Sequence, residues 1–447
     1  MDKNNPLHIC FVWLLLILIV ITSANAQSFF IINNIQNTSY NEASIMNSGS
    51  LIIKENVTIL YLGGSSYEMG FQHGALLKEK AIQNLRAFLH YLEKIGFTYQ
   101  MLLDCWNQTK RFIPQEYIDE MKGLSNATNI SLESVGIGNI AVLFAHCSGF
   151  SAWDNATKDG LLYHMRSLDY PLRVKDPESG CYLQDNSILI IRNPNNGYIS
   201  CDPSFAGFVG SLGGFNEKGI AVEVLSSWSN DETKNGIPMV FRQRMVLDYA
   251  ENATQALQFL TSNKTLGWNH ILSDGKVPIG FAVETSGTHH YYGTWDNPVE
   301  STEPFFSIPN IVRRTNIFIN PTLAETQRVI YNPQEKPILN TILGKNRLGM
   351  SILPSFIPWI HYEALSSEII KNYGNLDLNT TMKITRNFYQ GHTNILFRFF
   401  QLCGFFTTLN QWVTCPETGD IVVSFAKKEI NAFEQPIHYF NLFDLSK

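Results

Sequence analysis

Cys147 stands in the stretch FAHCSGFSAWDNATKDGLLYHMRSLDYP, Phe144 to Pro171, with Arg166 and Asp169 one hairpin downstream. These three residue types can build an acyl-transfer site. A thiol at the head of a strand becomes an N-terminal nucleophile if the chain is cut just before it. The freed α-amine then serves as the base for its own side chain. The proton balance is favourable: a thiol titrates near about 8.5 and an α-amine near about 7.7 to 8, so moving the proton from sulfur to nitrogen costs about 1 kcal/mol. A guanidinium beside the sulfur favours the thiolate, and a carboxylate would hold the ammonium. Arg166 and Asp169 are flanked by the apolar LLYHM and LDYP, which predicts that both are buried and partnered. The bond to be cut would be His146–Cys147.

Other chemistries find less support. His289 and His290 are adjacent, and on a strand they point to opposite faces, so they cannot share one metal ion. The chain has no His-Glu-x-x-His helix, no glycine loop between strand and helix to cradle a phosphate, and no Gly-x-Ser-x-Gly elbow. GSLGG (210–214) leads into a hairpin turn instead. A papain-like peptidase needs a helix beginning at the cysteine and an independent His-Asn pair, whereas Cys147 opens a strand-like alternation. No metal and no organic cofactor is expected. The net charge is −6 and no basic block occurs, which argues against nucleic acid as a partner.

The candidate residues need elements to position them. With 447 residues, 45% of them hydrophobic and 16% charged, the chain can bury a large core. VTILYLGG (57–64) reads as a strand. Ser65-x-x-Glu68 reads as a capping box opening a long amphipathic helix to about Ile95. Helical patterns continue to SLESVGIGNIAVLFA (131–145), so the first 146 residues are largely helical. At Cys147 the period shortens to two. Hairpin patterns follow at CSGFSAW with LLYHMRSLDY, at SILIIRN with YISC, and within 208–228, 268–286 and 411–426, with helical patterns at 238–251 and 254–262. Hairpins interrupted by helix pairs predict an α+β fold, an antiparallel sheet layered with helices. With no internal repeat and no clear linker, one domain after a helical leader is expected.

The N-terminus reads as a secretory signal. Lys3 gives a weakly positive start, Ile9 to Ile21 is an apolar run of 13 residues, and Ala24-Asn25-Ala26 is a small-x-small cleavage site. The run is shorter than the roughly 20 residues that span a bilayer, so residues 1–26 are expected to be removed and no stable membrane span is expected. Asn-x-Ser/Thr sequons stand at Asn37, Asn56, Asn107, Asn126, Asn129, Asn155, Asn252, Asn263 and Asn379. They predict a secreted or lysosomal glycoprotein. Six cysteines remain after Cys10 leaves with the signal. Cys181 with Cys201 and Cys403 with Cys415 flank hairpin patterns, so each pair could close a local disulfide, which would leave Cys105 and Cys147.

The cysteine hairpin resembles the N-terminal nucleophile hydrolases related to acyl-coenzyme A:isopenicillin N acyltransferase. Acid ceramidase, N-acylethanolamine acid amidase and the bile-salt hydrolases are wider relatives. The resemblance continues through GFVGSLGGFNEKGIAVEV, GIPMVFRQRMVLDYAENATQALQFL, WNHILSDGKVPIGFAVETS and RRTNIFIN, and YLGGSSYEMGFQHGALLKEKA resembles the family's leader. It implies a four-layer αββα sandwich made as a zymogen, with an α-chain (27–146) and a catalytic β-chain (147–447) from one precursor. It implies Cys147 as nucleophile, Arg166 and Asp169 poising it, Asn316 donating to the oxyanion, Asn216 as a second active-site asparagine, and Arg328 as a candidate for a further arginine. The implied reaction passes through a thioester formed from a small-molecule or lipid N-acyl amide, with water or an amine as acceptor. Two departures bear on the substrate: Ile317 follows Asn316 where the family often has His, and SGF follows Cys147 where Thr-Ser or Ser-Ser is usual. The alternative expectation is an inactive member acting as a secreted binding glycoprotein.

Overall fold

The structure, a computed structural model, describes residues 48–141, 146–328, 353–390 and 407–447. A short unit, Met1–Ile31, lies outside these residues, and the rest of the chain from Ile32 to Lys447 is a second unit. The second opens with strands β1 (Ser50–Lys54) and β2 (Val57–Gly64). Leader helices α1 (Ser66–Leu76), α2 (Lys78–Lys94), α3 (Tyr99–Thr109), α4 (Gln115–Thr128) and α5 (Leu132–Ile140) follow. The capping box forms at the start of α1: Ser65 Oγ accepts from Glu68 N at 3.4 Å, and Glu68 Oε2 accepts from Ser65 N at 2.7 Å.

The helix it opens is shorter than the sequence pattern predicts. It stops at Leu76, Leu77 adopts φ −126 and ψ 28, and α2 then continues to Lys94. The break has a packing reason. Met69 and Leu77 bury against Leu60, Leu62, Ile188 and Ile190 of the sheet, while α2 turns Ala87, Phe88 and Tyr91 toward the apolar cluster that holds Cys147. One straight helix could not cover both.

The chain from His146 onward supplies β3 (His146–Asp154), β4 (Gly160–Asp169), β5 (Ser187–Pro194), β6 (Ser200–Phe205), β7 (Gly213–Asn216) and β8 (Ile220–Ser226). Helices α6 (Met239–Tyr249) and α7 (Ala253–Thr261) come next. Strands β9 (Trp268–Asp274), β10 (Ile279–Thr285), β11 (His290–Gly293) and β12 (Ile311–Arg314) follow, then α8 (Pro321–Thr326). Helices α9 (Leu353–Lys371) and α10 (Leu378–Gln390) precede β13 (Thr408–Cys415), β14 (Asp420–Phe425) and β15 (His438–Asn441).

Among the described residues the strands form a nine-stranded sheet, β1-β2-β5-β6-β7-β8-β9-β10-β11, and a six-stranded sheet, β12-β3-β4-β13-β14-β15. Pairing is antiparallel except where β2 meets β5 in parallel, because β2 arrives from the leader rather than from a hairpin. The sheets face each other: Ile59, Leu189 and Phe215 of one pack on Trp412, Ile421 and Val423 of the other. Outside the larger sheet, Val246, Leu247 and Leu260 of α6 and α7 cover Val222, Leu272 and Val283. Outside the smaller, Leu365, Ile369, Met382 and Ile384 of α9 and α10 cover Phe150, Met165 and Val413. The order is helix, sheet, sheet, helix. Each such fully buried side chain contributes about 1.5–3 kcal/mol. The glycines of GSLGG serve close backbone approach: a Cβ on Gly214 would lie 2.3 Å from the Cys201 carbonyl oxygen.

The Cys181–Cys201 pairing is corrected, since both are free thiols. In the β5–β6 hairpin Cys201 pairs with Ile191 and its side chain enters the core between the sheets. Cys181 lies before β5, where its sulfur meets Asn186 Nδ2 at 3.5 Å. Cys403 lies outside the described residues, so its pairing with Cys415 does too. Of the sequons, Asn56, Asn107, Asn129, Asn155, Asn263 and Asn379 are exposed. Asn126 is half-buried and donates to Tyr67 OH at 2.8 Å; Asn252 is half-buried and caps α7; Asn37 lies outside the described residues. No helix among the described residues is long and apolar enough to cross a membrane.

Candidate active site

Strand alternation sorts the cysteine hairpin onto two faces. Across the β3–β4 pair Cys147 stands opposite Leu168, Gly149 opposite Arg166, and Ser151 opposite His164. These residues face the other sheet. Met165, Ser167 and Asp169 face the α9–α10 layer, where Met165 joins the helix-covered core. Cys147 is 1% exposed. Its backbone N–H donates to Asn316 Oδ1 at 2.8 Å. Arg166 Nη2 donates to the thiol sulfur at 3.8 Å and to the Val224 carbonyl at 3.1 Å. In this intact chain, burial pushes the thiol up to about 12, while the Arg166 guanidinium pulls the other way. The sulfur therefore rests protonated, with the cation needed to ionise it already alongside.

Asp169 is buried, as expected, but its carboxylate is turned away from the sulfur. Spaced three residues from Arg166, it falls on the opposite face of β4. Tyr389 OH of α10 donates to Oδ2 at 2.5 Å, and Thr408 Oγ1 and Ser167 Oγ donate to Oδ1 at 2.8 Å and 3.3 Å. Its backbone pairs with His146, beside the amide that cleavage would turn into an amine. Burial raises the carboxyl to about 7 against those three hydrogen bonds and Arg166. The His146 side chain lies outside the described residues.

Asn316 follows β12 in a loop held at nearly every peptide. Asn269 Nδ2 of β9 donates to the Thr315 and Ile317 carbonyls, each at 2.7 Å. Gln327 Nε2 donates to the Asn316 carbonyl at 3.0 Å, and its Oε1 accepts from Phe318 N at 3.1 Å. Glu284 of β10 accepts from Ile319 N at 2.8 Å and Asn320 N at 3.0 Å, and from Arg314 Nε at 2.9 Å. This buried frame places the Asn316 amide over the head of β3. Its Oδ1 faces the Cys147 N–H, and its Nδ2 donates to the Ser226 carbonyl at 2.7 Å. Asn316 thus grips the nitrogen of the His146–Cys147 peptide bond.

Two expected residues are not brought to the sulfur. Asn216 ends β7 as a structural tie: Nδ2 donates to the Leu247 and Ala250 carbonyls at 3.0 Å and 2.8 Å, and Oδ1 accepts from Lys218 N and Ile220 N at 3.1 Å each. That fastens the α6 terminus to the β7–β8 turn and occupies the whole amide. Arg328 pairs with Glu232, donates to the Ser229 carbonyl at 3.3 Å and covers the Trp228 ring at 5.1 Å. Conversely, sequence reading passed over Glu223, Asn269, Glu284, Gln327 and Tyr389. The signal for Glu223 was available: it is the one charged residue inside an otherwise apolar strand.

An apolar pocket adjoins the buried cluster that holds Cys147, although Cys147 itself does not line it. Leu168, Tyr170, Phe205, Leu212 and Leu409 line it and belong to the same buried cluster as the thiol. Leu85 and Phe88 of α2 form its leader wall.

Residues 168–335 match the family model described as acyl-coenzyme A:6-aminopenicillanic acid acyl-transferase. The match begins at the end of the cysteine hairpin and covers the segments after it that hold Asp169, Asn216 and Asn316; Cys147 and Arg166 lie before it. Protein dcd1B of Dictyostelium discoideum is 29% identical over 229 residues, which cover 45% of this chain and 44% of that protein. Protein dcd1A of the same organism is 20% identical over 372 residues, covering 76% and 75%. Among solved structures, the Caenorhabditis elegans ortholog of N-acylethanolamine-hydrolyzing acid amidase is similar at a TM-score of 0.38 and 14% identity, covering 66% of this chain and 100% of that one. The chain spans less than half the length of dcd1B.

Proposed function

We propose that this chain is an autoproteolytically activated cysteine amidohydrolase acting on a linear N-acyl amide with an apolar acyl chain. The observation that carries the reading is Arg166 Nη2 at 3.8 Å from Cys147 Sγ, with the Cys147 N–H bonded to Asn316. In activation, the sulfur attacks the His146 carbonyl carbon and the Cys147 nitrogen leaves as an amine, giving a thioester. Water then releases the His146 carboxylate and leaves an N-terminal Cys147. The amine deprotonates the thiol beside Arg166, and the thiolate attacks the substrate amide. The protonated nitrogen leaves with the amine portion. Water frees the acid from the second thioester; an amine acceptor at that stage makes the reaction an acyl transfer. An Asn316 Nδ2 proton, released from Ser226 Oγ and turned to the developing oxyanion, contributes about 3–4 kcal/mol.

The match to an acyl-transferase family over residues 168–335 supports acyl chemistry. The apolar pocket lined by Leu168, Leu212 and Leu409, next to the buried cluster that holds Cys147, supports an apolar acyl group. The signal pattern and the exposed sequons support secretion or lysosomal delivery as a glycoprotein. Reducing gels and N-terminal sequencing of the purified protein test the activation step. A fragment beginning Cys-Ser-Gly-Phe that disappears in Cys147→Ala is expected, together with release of acid from N-acyl amides. A single uncut chain that hydrolyses them at full rate overturns the reading. A second reading, a binding glycoprotein without catalysis, is favoured by the buried, protonated thiol; it predicts an uncut chain that retains an N-acyl amide unchanged.

A further inference from the structure

Gly149 sits two residues after Cys147 and has no room for a side chain. A Cβ there would lie 1.5 Å from Oε1 of Glu223. Glu223 comes from β8 in the facing sheet and is fully buried. Its carboxylate stands 3.8 Å from Nε of Arg166. Arg166 is Gly149's partner across the β3–β4 pair, so the carboxylate crosses the gap between the sheets at the bare spot beside the guanidinium. Neither Glu223 oxygen, nor Nε or Nη1 of Arg166, has a hydrogen-bond partner among the described residues. The other titratable groups around the pair are Cys147 on β3 and His164 and Asp169 on β4. His164 Nδ1 is engaged with Ser273 Oγ at 2.7 Å, and the Asp169 carboxylate is taken by Tyr389 and Thr408. One buried cation therefore stands between two acids, the Glu223 carboxyl on one side and the Cys147 thiol on the other.

We propose that Glu223 is a positioning residue that seats Arg166 against Cys147 and competes with the thiolate for its charge, in the space Gly149 leaves open. An ionised Glu223 neutralises the guanidinium and keeps the thiol protonated. With Glu223 neutral, the positive charge is available to the sulfur. Any side chain at position 149 would displace the carboxylate, so glycine and glutamate form a matched pair here. The inference rests on Cys147 being the reactive thiol, and not on amide hydrolysis.

The test is the pH profile of Cys147 alkylation by iodoacetamide in the full chain, followed by mass spectrometry of the peptide that carries it. Glu223→Gln keeps the shape and removes the charge, and should move the midpoint down by about one pH unit or more, which is tenfold faster alkylation at a fixed pH below it. Glu223→Asp should return the profile toward the parent. Gly149→Ala should shift it in the same direction and add nothing in a Glu223→Ala background. A folded Glu223→Gln protein with an unchanged or raised midpoint overturns the proposal. Should that variant not fold, Gly149→Ala decides, and an unshifted midpoint there overturns it equally. Loss of amide hydrolysis in the parent protein would sink the functional reading while leaving this result standing.

Discussion

Asp169 shows what burial does to one carboxyl. Its pKa is raised from 3.8 to about 7 in the folded chain. Below 3.8 both folded and unfolded forms hold the proton. Between 3.8 and about 7 the unfolded chain ionises while the folded one does not, so stability falls as pH rises through that window. The full swing is about 4 kcal/mol. Glu223 is raised as well, by burial against the pull of Arg166, and acts in the same direction. The buried His73 and His164, which burial holds down to about 3, act the other way, so the net slope is not that of Asp169 alone. Asp169→Asn, which mimics the protonated carboxyl, should gain stability relative to the parent between pH 4.5 and pH 7.5 in urea denaturation. A difference between the two proteins that does not change with pH would contradict the assignment. The apolar flanks of Arg166 and Asp169 predicted burial, and strand alternation over a three-residue step implies opposite faces, but only the tertiary structure shows which partners each face supplies.

At the scale of elements, the loop after β12 depends on its neighbours for order. Asn269 holds two of its carbonyls, and those carbonyls are left buried and unpaired if the amide is removed. Asn269→Ala should cost about 2–4 kcal/mol of stability and lower kcat more than it raises KM, because Asn316 loses its fixed place. Asn269→Asp, which keeps the shape and loses the donor, should behave like the alanine variant. A kcat equal to the parent's in both variants would show that Asn316 needs no such frame. None of this frame was legible locally: Asn269, Glu284 and Gln327 come from three elements. The boundaries of β3, β4 and β8 were legible, because alternation and turn residues set them within a few positions. The pair α9 and α10 was not read, although α10 supplies Tyr389.

For the whole molecule, the leader packs into the body built on the two sheets. Arg244 of α6 reaches Glu120 of α4 at 3.0 Å and Asp248 at 3.3 Å, and Tyr117 OH donates to Asp248 at 3.0 Å, all buried. Removing one partner of such a network costs about 3–5 kcal/mol. Glu120→Ala should therefore release the leader fragment from the cut protein on size-exclusion chromatography, where the parent elutes as one species. The leader also forms a wall of the apolar pocket through Leu85 and Phe88. Leu212→Trp should raise KM for long acyl chains severalfold and leave short ones within twofold; equal loss for both would place the acyl group elsewhere.

The sequence by itself determined the cysteine hairpin, the α+β class and the leader's helical character, because strand alternation, capping and turn chemistry act over a few neighbouring residues. It also placed Cys147 and Asn316 in one expected site through resemblance. Only the tertiary structure decided that Asn316 holds the Cys147 amide, that Asn216 fastens a helix to a turn, that Cys181 and Cys201 stay apart, and that Glu223 occupies the space above Gly149. Those outcomes depend on which strand of one sheet lies across from which strand of the other. That register is set by packing of the whole core and leaves no mark within any single stretch of the chain.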